Sequence, residues 1–274
     1  MPKEKSGKNI IKKFLNAYRT EKKSVFVVYV VLRFLVLAAL VLSCIQGDWE
    51  NAFICLLVLF LFLLPLLFEA SFKVELPSTL QIIILIFIFA AEILGELQSY
   101  FVRYTHWDTV LHTTWGFLCA AGGYSLVDIL NRNKKIRFSL SPMYLALVAF
   151  CFSMTIGVLW EFFEFGMDYF FHKDMQKDTI IHAFSSVTLD PTQSNIPIRV
   201  EGITDVAING ESLGLGGYLD IGLYDTMEDL FVNFIGAVVF SALGFIDAKT
   251  GGKLKLISRF VPQVPEKPEK PEEE

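Results

Sequence analysis

Residues 24–45 read SVFVVYVVLRFLVLAALVLSCI, an apolar run interrupted by one charge, Arg33. A helix rises about 1.5 Å per residue, and about 20 residues cross the roughly 30 Å of hydrocarbon in a bilayer. The run is therefore long enough to span a membrane. It is too long for the apolar core of a signal peptide and has no small-x-small cleavage pattern, so it reads as a retained first helix.

Five further runs of similar character follow. They lie at about Asn51–Phe68, Thr79–Leu97, Asp108–Leu130, Pro142–Tyr169 and Asp225–Ile246. QGDWE (46–50) is a tight loop between the first two, Pro65 is tolerable near the end of the second, and Pro142 is a favourable first-turn residue. The composition agrees: 53% of residues are hydrophobic, 26 are Phe, and the mean hydropathy is +0.49. The expected fold class is an all-α integral membrane protein, a bundle of about six transmembrane helices with a small extracytoplasmic loop or β-hairpin insertion.

Three regions follow from this pattern. Residues 1–23 form a basic arm in which IIKKFLNAYRTEKK (10–23) suits a short amphipathic surface helix. Residues 24–247 form the six-helix membrane domain, with a polar insertion at about 171–224. Within it, ITDVAINGESL (203–213) alternates around Asn209-Gly210, a strong hairpin-turn signal. GLGGYLDIG (214–222) is expected as loop or edge strand. Residues 248–274, ending in PQVPEKPEKPEEE, have the Pro- and charge-rich composition of a disordered tail.

Nineteen of the 24 Lys and Arg residues fall on one side of this arrangement: in the arm, at Lys73, at 132–137, and from Lys249 onward. Only Arg103, Lys173, Lys177 and Arg199 fall on the other. The positive-inside rule then places both termini in the cytoplasm and the insertion outside. The basic residues sit at helix ends and carry no recognition motif, so nucleic acid is not an expected partner. The four cysteines form no CxxC pair and read as small apolar packing residues.

Ionisable residues inside a membrane are costly and mark functional sites by default. Here they gather at one end. Glu92 and Glu96 close the third span, Asp108 and His112 open the fourth, Glu161, Glu164 and Asp168 close the fifth, and Asp225, Asp229 and Asn233 open the sixth. Spacings of three, four, seven and eight put each set on one helix face. A bundle satisfies four polar stripes by turning them inward. Asp178 and His182 in the insertion repeat the four-residue spacing. Other roles are open to single members: Asp108 and Asp225 suit N-caps, Asn233 suits an interhelical hydrogen bond, and Gly116, Gly157 and Gly236 suit close helix packing.

Mixed carboxylates and imidazole are ligands for a divalent metal ion, which could activate water against an ester or phosphodiester. The expected metal ligands are Asp108, His112, Glu161, Glu164, Asp225 and Asp229. The expected catalytic set is Asp108, His112, Glu161, Glu164, Asp229 and Asn233. The substrate class is a lipid or lipid-linked envelope molecule, with membrane lipid as the surrounding partner. Two alternatives stand beside this one: a proton- or cation-coupled transporter, and a non-catalytic assembly or sensor protein. There is no HExxH, nucleophile elbow, Walker A or GxGxxG motif, and the glycines at 214–217 lack the Lys-Ser/Thr of a P-loop.

WDTVLHTTWGF (107–117), VLWEFFEFGMDYFF (158–171) and LYDTMEDLFVNFIGAVVFSALG (223–244) resemble the YjdF-type family of uncharacterised bacterial inner-membrane proteins. The resemblance covers roughly Glu92–Gly244 and implies a small multi-pass protein of the bacterial cytoplasmic membrane. More distantly, Asp229-x3-Asn233-x2-Gly236 is similar to the closing helix of VanZ-like proteins, a group associated with glycopeptide (teicoplanin) resistance. Those proteins often carry Glu-x2-Gln on the preceding helix, where this chain has Glu161-x2-Glu164.

Overall fold

The computed structural model describes residues 23–132 and 140–263. The expected surface helix at 10–23, most of the basic 132–137 loop and the acidic end of the tail lie outside the described residues.

The first span is α1, Lys23–Gln46. The second is broken into α2, Trp49–Leu61, and α3, Leu64–Phe72. Asp48 caps α2, accepting from the Asn51 N–H at 3.0 Å. Pro65 has no N–H to donate to the turn before it, which accounts for the break just upstream. The third span begins as α4, Ser78–Ile88, and continues as a π-helix over Phe89–Leu97. The remaining long helices are α5 (Trp107–Arg132), α6 (Pro142–Phe171) and α7 (Leu223–Thr250). Ser141 caps α6 immediately before Pro142, accepting from the Tyr144 N–H at 3.3 Å.

Among the described residues, five stretches are long and apolar enough to cross a membrane: 23–46, 49–72, 78–97, 142–171 and 223–250. The sixth expected span, α5, has 26 residues and the necessary length but is less apolar than the others. It packs against both α6 and α7, and its Ser125 and Asp128 are buried. Large apolar side chains on the outer helix faces, including Phe34, Leu42, Phe53, Phe60, Phe162 and Phe165, are exposed, as a lipid-facing surface requires.

Two apolar cores result. One joins α1, α2 and α4 around Val36, Val58, Phe62 and Leu85. The other joins α5, α6 and α7 around Ala120, Tyr124, Ala149 and Phe240. The segment after α7 completes the second core. Ile257, Phe260 and Val261 are buried, Phe260 lies edge-on to Phe117 at 5.0 Å, and Gln263 pairs with Glu75. The expected disordered tail is thus ordered through residue 263, because three apolar side chains inside a polar sequence are enough to dock it.

α5 and α7 cross at very short range. A Cβ on Gly116 would lie 2.2 Å from the Asn233 carbonyl oxygen, and one on Gly236 would lie 2.1 Å from that of Thr113. Ser153 of α6 ties into the same crossing, its hydroxyl donating to the Gly116 carbonyl at 2.7 Å. Small residues let backbones approach this closely, and close packing drives helix association where hydrophobic burial gives no advantage.

The insertion contains three two-stranded antiparallel pairs. β1 (Ile180–Ile181) pairs with β6 (Tyr218–Leu219), and β2 (Ala183–Ser186) with β3 (Ile198–Glu201). β4 (Ala207–Ile208) and β5 (Glu211–Ser212) form the expected hairpin. Asn209 and Gly210 both have positive φ, 55° and 89°, as a tight primed turn requires.

Candidate functional site

The end of the bundle that carries the insertion holds two layers of acidic residues. In the upper layer, carboxylates bind backbone amides. Asp168 accepts from Met175 and Gln176 N–H at 2.6 and 2.9 Å. Asp225 Oδ2 accepts from Lys177 N–H at 2.7 Å. Asp220 accepts from Thr179 and Tyr224 N–H at 2.7 and 2.8 Å. These three residues pin segment 174–179 as a strap across the ends of α6 and α7. Lys173 pairs with Glu50 and fastens the start of the strap to the first turn of α2.

Below the strap, six side chains from three helices converge: Asp108 and His112 from α5, Glu161 and Glu164 from α6, and Asp229 and Asn233 from α7. His112 is the hub. Its Nε2 lies 3.5 Å from Asp108 Oδ1 and 3.6 Å from Asp229 Oδ2, and its Nδ1 lies 4.0 Å from Glu161 Oε1. Two triads have ligand atoms within 4.8 Å of one another: Asp108, His112 and Asp229, and Glu161, Glu164 and Asp229.

Relative exposures in the lower layer are 5% for Glu161, 7% for Glu164, 3% for Asp229 and 1% for Asn233. Glu161 Oε2, Glu164 Oε2, Asp229 Oδ2 and Asn233 Oδ1 are buried and have no hydrogen-bond partner. Trp160 satisfies the other Glu164 oxygen, its indole N–H donating at 2.8 Å. Gln176 and Thr226, bonded to each other at 2.5 Å, stand beside Glu161. Trp115 continues the wall, with its ring 6.3 Å from Trp160 and stacked on Phe87 at 5.6 Å. Asn233 forms the floor. Its amide donates to Met154 Sδ at 3.5 Å and occupies the slot left by Gly157, where a Cβ would meet Asn233 Nδ2 at 2.7 Å.

Among the described residues, the ion pairs reaching these four carboxylates come from His112 alone. Two like charges 4.8 Å apart repel by about 3 kcal/mol at an effective dielectric of 20. Three buried carboxylates and the half-buried Asp108 therefore need bound cations or protons between them.

Asp225, also expected as a ligand, belongs to neither triad and anchors the strap instead. Glu92 and Glu96 lie on the π-helical segment, outside both triads. Asp178 and His182 lie in the insertion, where His182 Nδ1 is 3.0 Å from the Ile203 carbonyl oxygen. The supporting roles of Trp160 and Gln176 were not read from the sequence. The signal for Trp160 was its position four residues before Glu164, one helical turn away. Gln176 carried no such signal, because a loop brings it to the site.

Three helices closing around carboxylates, one imidazole and one amide define a multi-pass membrane protein with a cluster of polar side chains in one half of its bundle. The chain belongs to the family described as "Predicted membrane protein (DUF2238)", whose model matches residues 28–250. It is also similar to an "Uncharacterized protein" of Thermotoga maritima, at 28% identity over 104 residues, 38% of this chain and 52% of the relative. The chain thus matches about half the length of that relative. No solved structure matches the chain.

Proposed function

We propose that this protein is a membrane-embedded enzyme that uses a divalent cation, held by Asp108, His112, Glu161, Glu164 and Asp229, on a lipid or lipid-linked envelope substrate. The observation that carries the reading is that Glu161, Glu164 and Asp229 each bury a carboxylate oxygen with no hydrogen-bond partner, in a cluster that also holds His112. Such oxygens cost free energy unless a cation or protons fill the space between them. A cation there would polarise a substrate oxygen and lower the pKa of a bound water. Asn233 Oδ1 at the floor would orient that water, and Trp115 and Trp160 would face the apolar part of the substrate. The charge asymmetry of the sequence places the pocket on the extracytoplasmic side of the bacterial cytoplasmic membrane, with both termini inside.

The transporter alternative is weaker. Directly below Asn233, the path toward the other end is filled by the Gly116 and Gly236 crossing and by Ala120, Ala237 and Phe240, each 0% exposed. The polar side chains buried in and just beyond this layer include single hydroxyls, Ser153, which donates to the Gly116 carbonyl, and Ser241.

The reading is tested by the melting temperature of detergent-purified protein. Ligand binding at 100 times Kd stabilises by about 2.7 kcal/mol. For a domain of this size, that is a loss of roughly 5–11 °C on chelation, reversed by one particular metal. His112→Ala and Glu161→Ala should abolish the response. No chelator effect, with stability rising on mild acidification, would refute the metal reading in favour of protonated carboxylates.

A further inference from the structure

We infer that the pocket holds two divalent cations bridged by Asp229, and that its substrate is a phosphate ester of a membrane lipid. The inference rests on the metal-dependent reading above and goes beyond it in number, arrangement and substrate.

The two triads share one residue, Asp229. The Asp108 and His112 side offers one nitrogen and carboxylate oxygens, a set suited to Zn, Mn or Fe. The Glu161 and Glu164 side offers oxygens only, a set suited to Mg or Mn. A carboxylate has two oxygens, so Asp229 can place one on each cation. In two-metal sites the ions stand about 3.5–4 Å apart, within the reach of one bridging carboxylate. His112 lies between the sides, with Nε2 facing Asp108 and Asp229 and Nδ1 facing Glu161.

Charge gives the independent argument. Asp108, Glu161, Glu164 and Asp229 carry four negative charges when ionised, and His112 is the sole basic side chain paired with them among the described residues. One dication would leave a net charge of −2 in a pocket whose Glu161, Glu164 and Asp229 are each more than nine-tenths buried. Two dications bring it to zero without a bound proton, whereas one dication requires two of the carboxylates to be protonated beside it. The unpartnered oxygens also number one on each of Glu161, Glu164 and Asp229, so the oxygen-only side has unfilled coordination, and Asp229 carries it to the shared position.

Paired cations at this spacing fit an in-line displacement at phosphorus, in which one stabilises the attacking oxygen and the other the leaving oxygen. The balanced step is hydrolysis. A water oxygen bonds to phosphorus as the bond to the leaving alcohol oxygen breaks, and the proton released by the water ends on that alcohol. The cluster lies beneath the strap at one end of an apolar bundle with lipid-facing sides, which favours a phosphate carried on a molecule already in the membrane.

The test uses full-length protein in detergent, stripped with chelator, saturated with Mn2+ and desalted. Metal analysis should give two Mn2+ per chain, with the electron paramagnetic resonance signal of an exchange-coupled pair. Glu164→Gln should retain one Mn2+ with an uncoupled signal, and Asp229→Asn should lose the coupling. Unchanged helical circular dichroism of each variant would exclude unfolding as the cause. A single uncoupled Mn2+ in the wild type overturns the two-cation site and leaves the metal-dependent reading standing. No bound Mn2+ overturns both. Millimolar inorganic phosphate should alter the coupled signal; an unaltered signal overturns the phosphate-ester assignment.

Discussion

Gly236→Ala adds one methyl group where α5 and α7 cross, and its cost follows from the distances. The new carbon would lie 2.1 Å from the Thr113 carbonyl oxygen and 2.8 Å from the Phe117 nitrogen, against about 3.4 Å for ordinary contact. Both obstacles are backbone atoms and cannot rotate away, so the helices must part by more than 1 Å. Overpacking of this kind costs about 1–3 kcal/mol. Gly166 provides the matched control. It lies in α6, and an added Cβ would meet nothing within 4 Å. Replacing it with Ala should stabilise by up to about 1 kcal/mol through helix propensity alone. The two variants should therefore differ by about 1–4 kcal/mol, a gap of roughly 2–16 °C at 2–4 °C per kcal/mol. Intrinsic tryptophan fluorescence during a thermal ramp in detergent measures it. Equal melting temperatures, or a higher one for Gly236→Ala, would refute the close crossing and with it the placement of Asn233 beneath the pocket.

Trp160→Phe removes the N–H that serves Glu164 Oε1. Loss of a group that orients a ligand typically weakens metal affinity 10–100-fold, so the Mn2+ concentration needed for half-maximal thermal stabilisation should rise by about that factor. Truncation after Thr250 removes Phe260 from its contacts with Phe117 and Phe240, and should destabilise by about the 3–5 kcal/mol typical of Phe→Ala in a core. Truncation after Gln263 should leave the melting temperature unchanged. In the insertion, the Thr192 hydroxyl and the N–H groups of Thr192, Ser194 and Ile196 hold the Asp190 carboxyl down at about 2. Its folded value lies below the unfolded value of about 3.9, so its contribution is complete above that pH and is lost as pH falls through about 2. Pepsin cleavage at 187–196 should rise across that window in the wild type. In Asp190→Asn the same cleavage should already be high at about pH 4.

The spans were legible because helix length and apolarity are local properties, and the stripes because side chains four residues apart share a face. Asp108, His112, Glu161, Glu164, Asp229 and Asn233 converge for that reason. Asp225 lies on the same α7 stripe yet takes a different role, because its partner is the Lys177 backbone, and nothing in the sequence says which loop amide meets which carboxylate. The π-helical winding of 89–97 was equally hidden, since four-residue spacing of Glu92 and Glu96 fits either winding. The tail was misjudged between Lys253 and Val261, where polar composition outweighed the few side chains that dock.

All six converging residues belong to α5, α6 and α7, while α1, α2 and the π-helical segment contribute none. The coordinating set is thus carried by one three-helix unit, which the other half of the membrane domain meets through Leu80 of α4 and through the Lys173–Glu50 pair. A movement of Phe87 of α4 away from Trp115 would open the aromatic wall sideways to the lipid without displacing a helix that bears a ligand. Admission of a hydrophobic molecule and the geometry that acts on it would then be controlled by different parts of the chain, so that one can change without disturbing the other.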